Sequence, residues 1–227
     1  MAVPEALLNE ARRAMDELSG RAKREFLTMW QSAPNQARLI DVLDEWFPAL
    51  VEKYGTVAAS VGAEVFALEA EALGITAHVQ VAGVDHTRAV RGGRWAAAKP
   101  NPSGNLVLAL DMLVRQPYRS TLQGSAWASG VAWCRVPRGR DTCAFCLMLA
   151  SRGAVYRTIT AAGGDGNKYH GGCSCEPVVV RGREDYPRGY DPDGLYDMYD
   201  AAVAAVEGPH STKAVLAEMR RMHDLDR

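Results

Sequence analysis

Two short stretches late in the chain, "DTCAFC" at 141–146 and "YHGGCSC" at 169–175, set Cys143 and Cys146 in a CxxC pair and His170, Cys173 and Cys175 in an HxxCxC run. A CxxC turn brings two sulfurs to one point, with the intervening backbone amides aimed at them. A zinc ion then needs two more soft or borderline ligands to close a tetrahedron. His170, Cys173 and Cys175 offer three, so one donor is spare. The segment between Cys146 and His170 is long enough for a helical turn and a returning strand. Any fold of this chain is therefore constrained to bring two distant knots together.

The choice between metal and disulfide rests on compartment. The opening "MAVPEALLNEARRAMDELSG" has no apolar signal-peptide core and is amphipathic instead. No apolar run reaches the roughly 20 residues of a membrane span. The chain is expected in a reducing cytosol and not in a membrane. There structural disulfides are disfavoured, and an odd set of five cysteines in which four form tight pairs points to metal. The expectation is one structural Zn²⁺ on Cys143, Cys146 and His170, with Cys173, Cys175 or both. Zinc is preferred over copper or iron–sulfur because a mixed Cys/His set is its common structural shell.

Other chemistries fit the residues less well. A catalytic zinc keeps an open position and a nearby base. Glu176 is the candidate base, but the Pro177 and Val178 that follow mark it as the start of a strand. Zinc deaminases need an upstream HxE, whereas the upstream histidines read "HVQ" (His78) and "HTR" (His86). Cys134 in "AWCRVP" would be a nucleophile only with His78 or His86, and reads as a buried small hydrophobe. "AAGGDGN" at 161–167 lacks the Lys-Ser ending of a phosphate loop and reads as a flexible turn. Arg135, Arg138, Arg140, Arg152 and Arg157 surround the first knot. With a net charge of −1 and a pI near 6.5, a solvated face is their first reading. Lowering of thiol pKa values and contact with a phosphate backbone come after it.

The rest of the chain reads as helix. Leu7, Ala11, Met15, Leu18, Ala22, Phe26 and Trp30 recur at steps of three or four, one apolar face of a helix over 5–30. "SAPNQ" breaks it. A second helix is predicted from Gln36, bent at Pro48 and stopped at Gly55, and a third ends at Gly74. "ITAHVQVAG" alternates like a short strand, and Asp85 caps a helical piece that weakens at "RGG". "KPNPSGN" at 99–105 reads as a loop, "LVLALDMLV" as a buried helix, and 118–137 as less regular with a strand-like end. "EPVVV" is strand-like, 181–194 is a polar linker, and two helices capped by Asp193 and Ser211 close the chain. The fold class is mainly α with a small α+β zinc-pinned C-terminal region. The proposed divisions are 1–98, a helical N-terminal region; 106–181, the zinc-pinned region; and 182–227, linker and C-terminal helices.

"CRVPRGRDTCAFCLMLASRGAVYRT" and "KYHGGCSCEPVVV" resemble the signature of head-morphogenesis proteins of tailed actinobacterial phages. That family is also called minor capsid or capsid maturation protease proteins, and is related to the phage Mu F-like group. "FLTMW" and "FPALVEKYG" in the helical part fit it as well. The resemblance implies a procapsid assembly protein or minor capsid component in the virion head, made in a bacterial cytoplasm. Its implied partners are portal, major capsid or scaffold protein. The family's motif positions fall on Cys143, Cys146, His170, Cys173 and Cys175. The protease label travels with the family, but no Ser-His-Asp or HExxH element is visible, so catalytic residues stay unassigned. A maturation protease and a DNA-contacting internal head protein are the alternative readings.

Overall fold

The computed structural model describes residues 2–138, 142–156 and 169–225. Its element order is α1 (Glu5–Ser32), α2 (Gln36–Asp41), α3 (Leu43–Leu73), α4 (His86–Ala97), α5 (Pro102–Ala128), β1 (Ala132–Val136), α6 (Ala144–Ala150), β2 (Glu176–Val180), α7 (Pro192–Ala205) and α8 (Thr212–His223), with one 3₁₀ turn at Arg183–Asp185. The protein is mainly helical with a small two-stranded sheet, as its apolar periodicity predicts.

Three long helices build the frame. α1 buries Ala11, Met15, Ala22 and Phe26 of the stripe that its sequence spacing indicates, together with Leu8 and Ser19, while Leu7, Leu18 and Trp30 are half-buried beside them. α3 contains Pro48 and runs on through Gly55, where the sequence suggested a stop. Pro48, in the second turn, forgoes the bond to the Asp44 carbonyl, and the helix nevertheless continues through it. The break falls earlier, at Val42 between α2 and α3. α3 does end at Gly74, which takes φ 66° while Ile75 N–H reaches the Ala70 carbonyl at 2.8 Å, closing a Schellman turn.

α5 is the central element. Asn101 caps it by accepting from Gly104 N–H, and Pro102 fits the first helical position. It then continues unbroken to Ala128, so "PSGN" is helix rather than loop and the segment from Tyr118 is regular. α5 crosses α3 closely at Gly62, where a Cβ would sit 2.8 Å from the Tyr118 carbonyl oxygen. Against α1, buried Asp111 of α5 accepts from Ser19 Oγ at 2.6 Å and pairs with Lys23 and Arg115 at 2.7 and 3.1 Å. Burial opposes its charge, but those cations hold the Asp111 carboxyl down at about 2.

Two apolar cores fill the frame. One gathers Phe26, Phe47, Val51, Leu106, Leu110 and Val114 between α1, α3, α4 and α5. The other joins the opposite ends of α1, α3 and α5 to the sheet through Leu8, Met15, Phe66, Leu122 and Trp133. The strands pair antiparallel, Trp133 opposite Val179 and Cys134 opposite Val178, and all ten residues are buried. The outer edge of β2 is capped by a side chain: Glu69 of α3 accepts from Val179 N–H at 3.0 Å. A satellite core of Leu147, Ala202, Val215 and Met219 fastens α7 and α8 onto α6. Asp191, two residues before the expected Asp193, caps α7 because Pro192 takes the first helical position; Ser211 caps α8 as expected.

Candidate metal centre

The two knots meet beside the sheet. Cys143 is the N-cap of α6, its sulfur accepting from Cys146 N–H at 3.4 Å, so the CxxC spacing becomes the first turn of a helix. β1 and β2 run antiparallel, which returns the chain to the start of α6 and delivers the HxxCxC run there. A turn closed by Cys173 N–H on the His170 carbonyl, with Gly172 at φ 74°, aims His170 and Cys173 inward. Cys175 enters just ahead of β2.

The structure brings all five candidate donors together in two groups that share Cys146: Cys143, Cys146 and His170, and Cys146, Cys173 and Cys175. Within each group the ligand atoms lie within 4.8 Å of one another. Cys143 Sγ is 2.9 Å and Cys146 Sγ 3.5 Å from His170 Nε2, and the sulfurs of Cys146 and Cys173 are 3.4 Å apart. A tetrahedral zinc with bonds of about 2.0–2.3 Å separates its donors by about 3.5–3.8 Å, so a slight outward relaxation would admit the ion. The donor chemistry fits as well: four thiols and one imidazole, all four cysteines buried. His170 Nδ1–H donates to the Gly171 carbonyl at 2.9 Å, which turns Nε2 toward the sulfurs.

The cluster favours the thiolate at Cys143 and Cys173 and the protonated thiol at Cys146 and Cys175. The Cys146 thiol donates to Cys143 and, with His170, pulls the Cys143 thiol down to about 4. Cys146 and Cys175 likewise hold Cys173 low, with Arg119 adding positive charge, and Cys146 as the shared donor is pushed up. Hydrogen bonding to Cys143 raises His170 to about 9.

Two buried cations stand behind the sulfurs. Arg119 of α5 and Arg135 of β1 are 2% and 0% exposed. Their guanidinium carbons lie 4.0 and 3.9 Å from the centre of the Tyr169 ring. Two such groups cannot share one face at that distance, so Tyr169 is held between them. Arg119 Nη2 donates to the Cys173 carbonyl at 2.7 Å, and Gln123 Nε2 donates to the Tyr169 hydroxyl at 3.2 Å. Tyr169 itself is pushed up to about 12 by burial, which keeps it neutral between its cations. Burial opposes the Arg135 cation, and the groups around it that would favour it are the Tyr169 hydroxyl and the sulfurs of Cys175, Cys146 and Cys173. Buried charge needs a counter-charge, and the Cys173 thiolate beside Arg119 supplies part of it.

This arrangement corrects the reading of the arginines as a solvated face. Arg135 is inside, and the Arg138 side chain, 7% exposed, bonds Asn9 at 2.9 Å and pairs with Glu5 at 3.1 Å and Glu176 at 3.8 Å. Only Arg152 of the described members is exposed; Arg140, Arg157 and the glycine-rich 161–167 lie outside the described residues. Neither Arg119 nor Tyr169 stands out in the sequence. The available signal was a charged residue within the apolar run "AWCRV".

The remaining candidates occupy other places. Cys134 lies within β1, fully buried, with burial and nearby Glu69 pushing its thiol well above the ordinary range, the reverse of an activated nucleophile. His78 and His86 are exposed, one in the segment after α3 and the other at the first position of α4. Glu176 begins β2, as read, and burial raises its carboxyl to about 7. Among the described residues no helix is long and apolar enough to cross a membrane.

No curated protein and no solved structure matches the chain. The VG15 protein family, derived from viral genomes, matches residues 2–202, nearly all of the described fold from α1 through most of α7 with both cysteine knots inside it. On that match the chain belongs to the VG15 family and is a phage protein.

Proposed function

We propose that the protein is a phage head assembly component, a minor capsid protein of the procapsid, whose C-terminal half is pinned by one structural zinc. It binds portal, major capsid or scaffold subunits and resides in the virion head. The observation that carries the metal part is the convergence of four buried thiols and the half-buried His170 imidazole, from α6 and the loop before β2, around Cys146. Such a set fills a tetrahedral shell from protein alone, the mark of a structural rather than a catalytic zinc. Bound there, the ion would fasten α6 to the sheet and contribute folding free energy. Cys143, Cys146, His170 and one of Cys173 and Cys175 would hold it, while Arg119 and Arg135 balance its surplus thiolate charge. Membership of a phage family and the resemblance of both knots to head-morphogenesis proteins support the assembly role.

Two measurements test this reading. Native mass spectrometry of the purified chain should show one zinc. Co-expression with the cognate portal, capsid and scaffold proteins should give a stable complex with at least one of them and leave each at its full mass. A metal-free folded chain would overturn the zinc assignment. Processing of the capsid protein that is lost in Cys134→Ala or Glu176→Gln would replace the assembly role with the maturation protease.

A further inference from the structure

Between α3 and α4 the chain lies along α5 in an unusual way. Backbone N–H groups of His78, Gln80 and Ala82 donate to the hydroxyls of Ser129, Ser125 and Thr121 at 2.8, 2.8 and 3.0 Å. The periods explain the fit. Four helical residues rise about 6 Å and two extended residues about 6.8 Å, so hydroxyls at every fourth position of α5 meet every second amide. The approach is close at Gly124, whose α-carbon faces Gln80 with room for no more than a methyl group in ordinary contact. The segment, which the sequence suggested as a short strand, is thus an extended chain outside the sheet whose neighbour on one side is a helix.

Among the described residues its other side has no hydrogen-bonding neighbour. In an extended chain the amides and carbonyls of Val79, Val81 and Gly83 point away from α5, and among the described residues none of their amides has a partner. Val79 and Val81 are 39% and 62% exposed. From Gly74 to Val84 there is no charged residue, although exposed strand edges are ordinarily blunted by charge, Pro or a bulge. The stretch is nearly palindromic about Gln80, with Val79 and Val81 flanking it and small residues at Ala77 and Gly83.

We infer that residues 77–83 pair antiparallel with the same segment of a second copy of this chain, across a two-fold axis at Gln80. In that register Val79 of one copy faces Val81 of the other and each exchanges both backbone bonds with it. Ala77 and Gly83 pair likewise, and the four valines cover one another on one face. No charge meets a like charge. The pairing uses only the outward amides, so the ladder to α5 stays whole. It depends neither on the metal centre nor on the assembly role.

The test uses the full-length chain. Sedimentation across a concentration series should show a monomer–dimer equilibrium. Amide hydrogen exchange should slow at Val79, Val81 and Gly83 as dimer forms, while His78, Gln80 and Ala82 stay protected throughout. Val81→Pro removes one outward amide at a position already extended, so the fold is kept. It should weaken the dimer at least about tenfold. Val79→Lys, which places like charges near one another, should do the same with helicity unchanged. A chain that is monomeric at every concentration overturns the inference. So does a dimer whose outward amides exchange freely, or one indifferent to both substitutions.

Discussion

Glu69 offers a test of how charge is accommodated beneath the sheet. Its side chain comes from α3, is 1% exposed, and accepts from Val179 N–H. Burial, with Glu176 adding like charge, raises its carboxyl from 4.5 to about 8 although the Val179 bond opposes the rise. The folded chain therefore keeps a proton that the unfolded chain releases above the ordinary carboxylate pKa. Stability from this group is whole below 4.5 and falls as pH rises toward about 8, at about 1.4 kcal/mol per pH unit. By neutral pH the loss is about 3 kcal/mol. Glu69→Gln keeps the shape and an acceptor for Val179 but never ionises. It should be the more stable protein at neutral pH, with a margin that grows by about 2 kcal/mol between about pH 6 and pH 8. Because Glu176 and His170 titrate in the same window, the informative quantity is the difference between variant and parent at each pH, read from urea unfolding. A difference independent of pH, or one shrinking as pH rises, would refute the reasoning.

The metal centre and the packing carry further expectations. Cys146→Ser, at the vertex common to both donor groups, should abolish zinc uptake, whereas Cys134→Ser should retain one full equivalent by native mass spectrometry. Comparing Cys173→Ser with Cys175→Ser should show one variant binding at nearly parental affinity, which identifies the spare donor. Tyr169→Leu takes away the ring between Arg119 and Arg135 and should cost about 2 kcal/mol, a fall of roughly 4–8 °C in Tm, together with weaker zinc retention against a chelator. Gly62→Ala puts a methyl 2.8 Å from the Tyr118 carbonyl and should cost on the order of 1–2 kcal/mol in chemical denaturation despite alanine's better helix propensity.

The features legible in the chain were those that depend on near neighbours. The CxxC and HxxCxC spacings selected the five residues that the fold brings together, because two or three residues of separation already fix how close two side chains can come. The stripe of α1, the glycine end of α3, the Ser211 cap and the "EPVVV" strand are local in the same sense. The misreadings came where a second element decides. Gly55 and "PSGN" carry breaker residues, yet α3 and α5 pass through them because packing supplies more than a weak local propensity removes. Arg119 and Arg135 look like surface charge until α5 and β1 enclose them against Tyr169 and the sulfurs. Glu69 becomes an edge cap only because β2 ends beneath α3. "ITAHVQVAG" did announce an extended chain, but its partner, a row of hydroxyls on a helix some forty or more residues away, had no local trace. Spacing along the chain sets which groups can act together; burial, and the charge and hydrogen-bond pairing that burial enforces, is set by whatever the fold lays across them.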